Sequence, residues 1–202
     1  MPSPNFFRTL GLFVRDDFLD PATCSTIQNE MCMAEQEKAL VSRKNSQEGV
    51  LDEESRKVLS VNVQRATAEM ISDKIWSLKT QLEEHFHVHI TNGQGPNFLR
   101  YGEGAFYRPH RDKSSEACED ILPRQVSVVV FLNGYSKEPA ENYFGGGLLT
   151  FYGLLDGPEW EKCAFPLEPE PGLLVAFRSD TLHEVQPVTF GQRFTIVSWL
   201  TS

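Results

Sequence analysis

The sequence predicts an α+β fold, mainly β, in which about eight strands form a double-stranded β-helix (a jelly roll) with N-terminal supporting helices. Three observations predict it. The first half of the chain carries apolar residues at helical spacing. From about residue 97, short segments rich in β-branched and aromatic residues alternate with glycine, proline and polar turns, the pattern of a sandwich or barrel. No linker divides the 202 residues, so they read as a single domain, with 1–92 as helical support and flap and 93–202 as the jelly-roll core.

The first helix is expected in "DPATCSTIQNEMCMAEQEKAL", which opens with Asp20 as N-cap and Pro21 at the first helical position. Cys24, Ile27, Met31 and Ala34 share one stripe, which marks Cys24 as core. A second helix is expected across "ATAEMISDKIWSLKTQLEEHF", where Ile71, Ile75, Leu78, Leu82 and Phe86 keep the spacing. The polar, mixed-charge stretch "VSRKNSQEGVLDEESRKVLSV" between them reads as a loop or mobile flap. His85, His87 and His89 in "HFHVHI" would face one way on a strand and suit a second metal. The helical stripe through Phe86 instead puts them across a helix end, where imidazoles suit the dipole.

The eight strand segments are "NFLRY", "AFYRPH", "QVSVVVFLN", "GLLTFYG", "CAFPLEP", "GLLVAFR", "LHEVQPV" and "RFTIVSWLT". Tyr107, Phe177 and Trp199 read as barrel filling. Gly145, Gly146 and Gly147 precede a strand rather than a helix, so they serve a turn or a close backbone approach, not a phosphate cradle.

A formal net charge of −9 argues against a broad phosphate-binding surface, so nucleic acid is not an expected partner. Four cysteines without a CxxC pair read as thiols of a reducing compartment. The N-terminal apolar run "LGLFV" is too short for a signal peptide, and no run approaches a membrane span, which gives a cytoplasmic expectation with no membrane partner.

Chemistry concentrates in "YRPHRDKSSEACED". On a strand, His110 and Asp112 would point to one face, an imidazole beside a carboxylate. His183 in "FRSDTLHEVQPVTFGQRFTIVSW" supplies a third ligand, since a jelly roll folds distant strands together. Two histidines and a carboxylate form the facial triad of non-haem Fe(II) oxygenases and leave positions open for a bidentate co-substrate and dioxygen. Arg193, on the next strand, is placed to grip the far end of a dicarboxylate with a two-pronged guanidinium.

With its flanking strands, this set resembles the 2-oxoglutarate- and Fe(II)-dependent dioxygenase family, in its prolyl 4-hydroxylase-like branch. "RYGEGAFYRPHRD" resembles that branch's tyrosine, glycine turn and metal motif. "FLNGYSKEPAENYFGGGLLTFY" resembles its strand–loop–GG–strand segment, and "LVAFRSDTLHEVQPV" its distal-histidine segment. The likeness covers about residues 97–200; in the N-terminal half only "DDFLDPATC" is similar, to the entry into the first helix. It implies Fe(II) on His110, Asp112 and His183, with the 2-oxoglutarate co-substrate on that iron and on Arg193. It implies a co-substrate role for Tyr101 as well, with O2 as oxidant and ascorbate in support. The implied reaction converts 2-oxoglutarate to succinate and CO2 while hydroxylating a substrate, here proline in a protein or peptide. Asp112 itself implies hydroxylation, since related halogenases carry a small residue in that place.

Two departures from the pattern stand out. Some relatives have a co-substrate-binding tyrosine on the third strand where this chain has Phe131; Ser127 or Ser198 is a candidate substitute donor. The segment from 134 to 147, which commonly touches substrate, matches loosely. A base-repair dioxygenase is disfavoured, because its second arginine falls at Trp199. The alternatives are hydroxylation of a free amino acid or small metabolite, and a non-catalytic metal- or dicarboxylate-binding jelly roll.

Overall fold

The structure, a computed structural model, describes residues 4–39, 52, 54–113, 121 and 123–202. Helix α1 (Pro4–Thr9) and strand β1 (Phe13–Arg15) precede α2 (Pro21–Met33). Strands β2 (Gln36–Lys38), β3 (Arg56–Lys57) and β4 (Leu59–Val61) lead to helices α3 (Arg65–Trp76) and α4 (Lys79–Phe86). Strands β5 (Asn92–Tyr101), β6 (Phe106–His110), β7 (Arg124–Phe131), β8 (Gly134–Tyr135), β9 (Tyr143–Gly146) and β10 (Leu149–Tyr152) follow. The chain closes with β11 (Ala164–Leu167), β12 (Leu174–Arg178), β13 (His183–Val185), β14 (Val188–Phe190) and β15 (Arg193–Thr201). Among the described residues no helix is long and apolar enough to cross a membrane.

A seven-stranded sheet, ordered β1-β12-β7-β15-β5-β4-β2, lies against a five-stranded sheet, β11-β10-β13-β6-β3; a small third sheet is ordered β14-β9-β8. Strand alternation divides the larger sheet between two cores. Val126, Val128 and Val130 of β7, Leu174 and Ala176 of β12, and Phe194 and Ile196 of β15 pack against the helices. Their neighbours Val129, Phe131, Val175 and Phe177 point the other way, into the space between the sheets, where they meet Leu149 and Phe151. Burial on both faces explains why β7 reads as an unbroken apolar run. The inward positions of β7 and β15 also include Ser127, Arg193 and Thr195, all buried. Polar groups on a buried face cost folding energy unless partnered, so they mark where the interior is used.

The eight expected strands are all present, and the expected helices are in place with changed boundaries. Asp20 caps α2, its carboxylate accepting the Thr23 N–H at 2.9 Å. The helix stops at Met33 instead of continuing to Leu40. The polar residues after Ala34 have no apolar stripe to bury, and Gln36–Lys38 pair with β4 as an edge strand. The second helix breaks into α3 and α4 where the Ser77 hydroxyl bonds back to the Lys74 carbonyl. Its stripe survives the break, and Ile71, Ile75, Leu78, Leu82 and Phe86 are all buried in the helix-side core. The C-terminal end of the expected flap is strand, because β3 and β4 extend both sheets; residues 40–51 and 53 lie outside the described residues. Helix α1 and strand β1 were not expected; Phe7 of α1 and Leu12, just before β1, enter the interior core.

Leu82 is fully buried under the sheet, so Leu82→Ala should destabilise the fold by about 2–5 kcal/mol in chemical denaturation. Met33→Ala, at an exposed helix end, should stay within about 0.5 kcal/mol of the parent. Equal losses at the two sites would contradict the burial of Leu82 in the helix-side core.

Candidate metal centre

His110 closes β6 and His183 opens β13, and the antiparallel pairing of these strands sets the two residues directly opposite each other. Asp112 is not on the strand, as its spacing from His110 had suggested. β6 ends at His110, and Asp112 sits in the bend beyond, where the Ser127 hydroxyl donates to its Oδ2 at 2.7 Å and draws the carboxylate inward. The donor atoms of His110, Asp112 and His183 all lie within 4.8 Å of one another. His110 Nε2 is 3.7 Å from Asp112 Oδ1, and His183 Nε2 is 3.7 Å from Asp112 Oδ2. These gaps are too long for hydrogen bonds and suit three groups arranged about a common point.

The surroundings fix which nitrogen faces that point. Nδ1 of His110 meets the Arg108 carbonyl at 2.8 Å, and Nδ1 of His183 meets the Thr181 carbonyl at 2.9 Å. A carbonyl only accepts, so each Nδ1 carries the proton and each Nε2 presents a lone pair, the tautomer that metal-binding imidazoles use. Burial, followed by the neighbouring His183, pushes the His110 pKa down to about 3, so its ring is neutral at physiological pH. Burial alone would raise Asp112, but His183, His110 and the Ser127 hydroxyl outweigh it and hold the carboxyl below its ordinary value. A neutral imidazole beside an ionised carboxylate is the state a divalent cation requires of its ligands.

Each group is braced. The Tyr107 ring stacks on His110 with centroids 3.5 Å apart, and the Arg56 guanidinium lies 4.7 Å over that ring. Phe177 meets His183 edge-on at 4.7 Å and is backed by Phe151. Tyr107 and Phe177 therefore fill the barrel, as expected, and form the walls of the site as well. Ser127 is itself held by Ser179 at 3.0 Å. The Trp199 indole helps to depress the Asp112 pKa, although its buried N–H makes no hydrogen bond of normal geometry. Arg124 lies 3.7 Å over the Trp199 ring and donates to Gln94 at 2.7 Å.

Arg193 begins β15 opposite Tyr101 and is only 1% exposed. Its guanidinium stands 4.8 Å from the Tyr101 ring, 5.1 Å from Phe131 and 6.0 Å from Phe144. One nitrogen donates to the Thr195 hydroxyl at 3.1 Å, the buried Nε has no partner, and among the described residues no carboxylate pairs with this group. Burial pushes its pKa down to about 10, which still leaves it charged at neutral pH. Aromatic faces offset part of the desolvation cost of a cation, but a full counter-charge is lacking among the described residues. Gly147 makes room for it: a Cβ there would meet Arg193 Cδ at 3.3 Å and Val188 Cγ2 at 2.9 Å, at a φ of +55°. That is a close backbone approach of the kind expected of the glycine triplet.

Ser127 and Ser198 both lie away from Arg193; Ser127 serves Asp112 and Ser198 donates to the Gln94 carbonyl. The hydroxyl beside Arg193 is that of Thr195, two positions along the same inward row, a signal that strand alternation carried in the sequence. His85, His87 and His89 gather no metal cluster among the described residues. His87 forms the left-handed cap of α4, and His89 Nδ1 stands 3.3 Å from Glu83.

The sequence model described as the 2OG-Fe(II) oxygenase superfamily matches residues 96–201. A PKHD-type hydroxylase of Alteromonas mediterranea is 33% identical over 110 residues, covering 53% of this chain and 43% of that protein. Another from Acaryochloris marina is 36% identical over 105 residues, with coverage of 52% and 41%. The chain thus spans less than half the length of these curated relatives. A Pseudomonas putida prolyl-4-hydroxylase structure superimposes with a TM-score of 0.71 at 23% identity, covering 98% of this chain and 95% of that one. A prolyl hydroxylase of Trichoplax adhaerens, solved with a hypoxia inducible factor peptide fragment, gives 0.65 at 20% identity, covering 98% and 86%. Identities this low carry the fold alone.

His183→Ala should abolish Mn(II) binding in calorimetry, and Ser127→Ala should weaken it by about 10–100-fold, as loss of a hydrogen bond to a metal ligand does. Unchanged affinity in His183→Ala would remove the triad assignment.

Proposed function

We propose, from the premise that the chain belongs to the 2OG-Fe(II) oxygenase superfamily, that it is a 2-oxoglutarate- and O2-dependent hydroxylase acting on proline in a protein or peptide. The observation that carries this reading is the pairing of a three-ligand cluster with a buried, charged arginine that has no carboxylate partner among the described residues. A metal-binding barrel needs only the first; a dicarboxylate co-substrate explains the second.

His110, Asp112 and His183 would hold Fe(II) and leave half of an octahedral shell open for co-substrate and oxygen. When bound, the iron supplies the oxygen activation that couples decarboxylation of 2-oxoglutarate to succinate with hydroxylation of a substrate C–H bond. The protein's own residues set the geometry. Arg193 grips the distal carboxylate of 2-oxoglutarate with two parallel hydrogen bonds, and that carboxylate supplies the missing counter-charge. Thr195 orients the guanidinium from one side and Tyr101 lines the other. Phe131 and Phe144 keep water from the ion pair, which strengthens it. The Nδ1–H groups of both histidines donate to the Arg108 and Thr181 carbonyls, which keeps the rings from turning away from the metal. Ascorbate would serve as the reductant that keeps the bound iron in its Fe(II) state.

The proline assignment is supported by the prolyl hydroxylase neighbours, whose fold extends over nearly the whole chain, the N-terminal helices included. On this reading residues 1–202 act as a single catalytic domain, in the cytoplasm, with 93–202 as the core.

The test is turnover with Fe(II), 2-oxoglutarate and proline-containing peptides, read by succinate release and by mass spectrometry for hydroxyproline. Arg193→Gln should weaken 2-oxoglutarate binding more than tenfold, since leaving a buried carboxylate unpaired costs about 2–5 kcal/mol. Mn(II) affinity should change little, and Arg193→Lys should recover part of the loss. Oxidation of free amino acids without any peptide product would replace the peptide reading with a metabolite hydroxylase. Binding of 2-oxoglutarate without succinate would make the chain a sensor.

A further inference from the structure

We infer that a cleft beside the metal centre seats the peptide in extended form and selects one with a carboxylate side chain near the oxidised residue and an apolar side chain farther along. The inference rests on the peptide-hydroxylase reading above, and adds where the peptide lies and what it must carry.

The cleft, of about 1020 Å³, lies between the Leu10–Gly11 turn after α1, the loop joining β10 to β11, and the exits of β6 and β12. The triad residues do not line it themselves, but its lining adjoins each of them along the chain. Arg111 separates His110 from Asp112, Lys113 follows Asp112, and Leu182 precedes His183, and all three line the cleft. Its volume reaches the top of the range that small ligands occupy, about 300–1,000 Å³. A free amino acid would leave most of it empty, whereas several residues of an extended chain would fill it.

Charge divides the cleft by element. The exits of β6 and β12 contribute Arg111, Lys113 and Arg178 against one acid, Asp180, a net positive set although the whole chain has a formal net charge of −9. The β10–β11 loop contributes Asp156 and Glu161. Arg178 is paired with Asp180 at 3.4 Å, and Arg111 donates to the Asp180 carbonyl. Lys113 has no ion-pair partner among the described residues and stands next to a triad member in sequence. The same loop presents Leu155, which lines the cleft, and Trp160 beside it, two of the five exposed large apolar side chains among the described residues. Their clustering on one loop distinguishes them from scattered surface apolar residues. A cationic end beside the triad and an apolar, acidic wall opposite are complementary to a peptide with the reverse order of groups.

The test uses the full chain with Fe(II) and 2-oxoglutarate, and short peptides with a central proline in an alanine–glycine background. Each flanking position is set in turn to Asp, Lys, Leu or Ala. One near position should favour Asp over Lys by about fivefold in kcat/KM, the contribution of a half-exposed ion pair. Lys113→Glu should invert that preference so that the Lys peptide becomes the better substrate, a gain that unfolding cannot produce. Lys113→Gln should flatten it. Leu155→Ala should erase a preference for Leu at a more distant position. Peptide hydroxylation with the charge preference intact in both Lys113 variants overturns the cleft assignment and leaves the peptide-hydroxylase reading standing. Oxidation of free amino acids with no peptide product overturns that reading, and the cleft assignment with it.

Discussion

A charged guanidinium held almost out of water, with no counter-ion among the described residues, is the constraint around which the interior of this barrel is arranged. Arg193 is fixed by three aromatic faces and one hydroxyl, none of which carries a charge. Such an arrangement is costly in an empty barrel, because desolvation of a cation is repaid in full only by an anion. The cost becomes functional when a dicarboxylate arrives, since the binding energy is concentrated in one preformed contact. Tyr101, Phe131 and Thr195 share the inward face of adjacent strands with Arg193, and Gly147 leaves room for its stem.

The metal ligands follow a different logic. No single element holds them; the pairing of β6 with β13 brings His110 opposite His183, and the bend after β6 adds Asp112. Precision then comes from the bracing groups. Backbone carbonyls set both histidine tautomers, Tyr107 and Phe177 hold the ring planes, and Ser127 with Ser179 holds the carboxylate. The larger sheet can carry these polar groups inward because its other face packs on α2, α3 and α4, which supply the apolar burial that the barrel interior forgoes.

Much of this was legible in the sequence, for physical reasons that differ by element. The eight barrel strands stood out because burial on one or both faces demands β-branched and aromatic residues. His110, Asp112, His183 and Arg193 stood out because few residue types do their chemistry. Strands β2, β3 and β4 did not, since two- and three-residue edge strands take their stability from neighbours and leave little apolar pattern. The break between α3 and α4 was hidden because Leu78 keeps the stripe continuous while Ser77 ends the helix. Ser127 was noticed as a hydroxyl but given to the wrong anion, because its partner is set by which strands lie side by side. Thr195 was readable from its register with Arg193, yet a threonine on a strand is too ordinary to attract notice.

Thermal unfolding of the parent chain and of Arg193→Met, each with and without 2-oxoglutarate and Mn(II), tests the central claim most directly. If the guanidinium is kept for a ligand at the expense of the empty fold, the methionine variant melts at or above the parent when 2-oxoglutarate is absent. Adding 2-oxoglutarate then raises the melting temperature of the parent and leaves that of the variant where it was. A variant that melts well below the parent, yet is still stabilised by 2-oxoglutarate, would show that Arg193 holds the barrel together and that the dicarboxylate binds elsewhere.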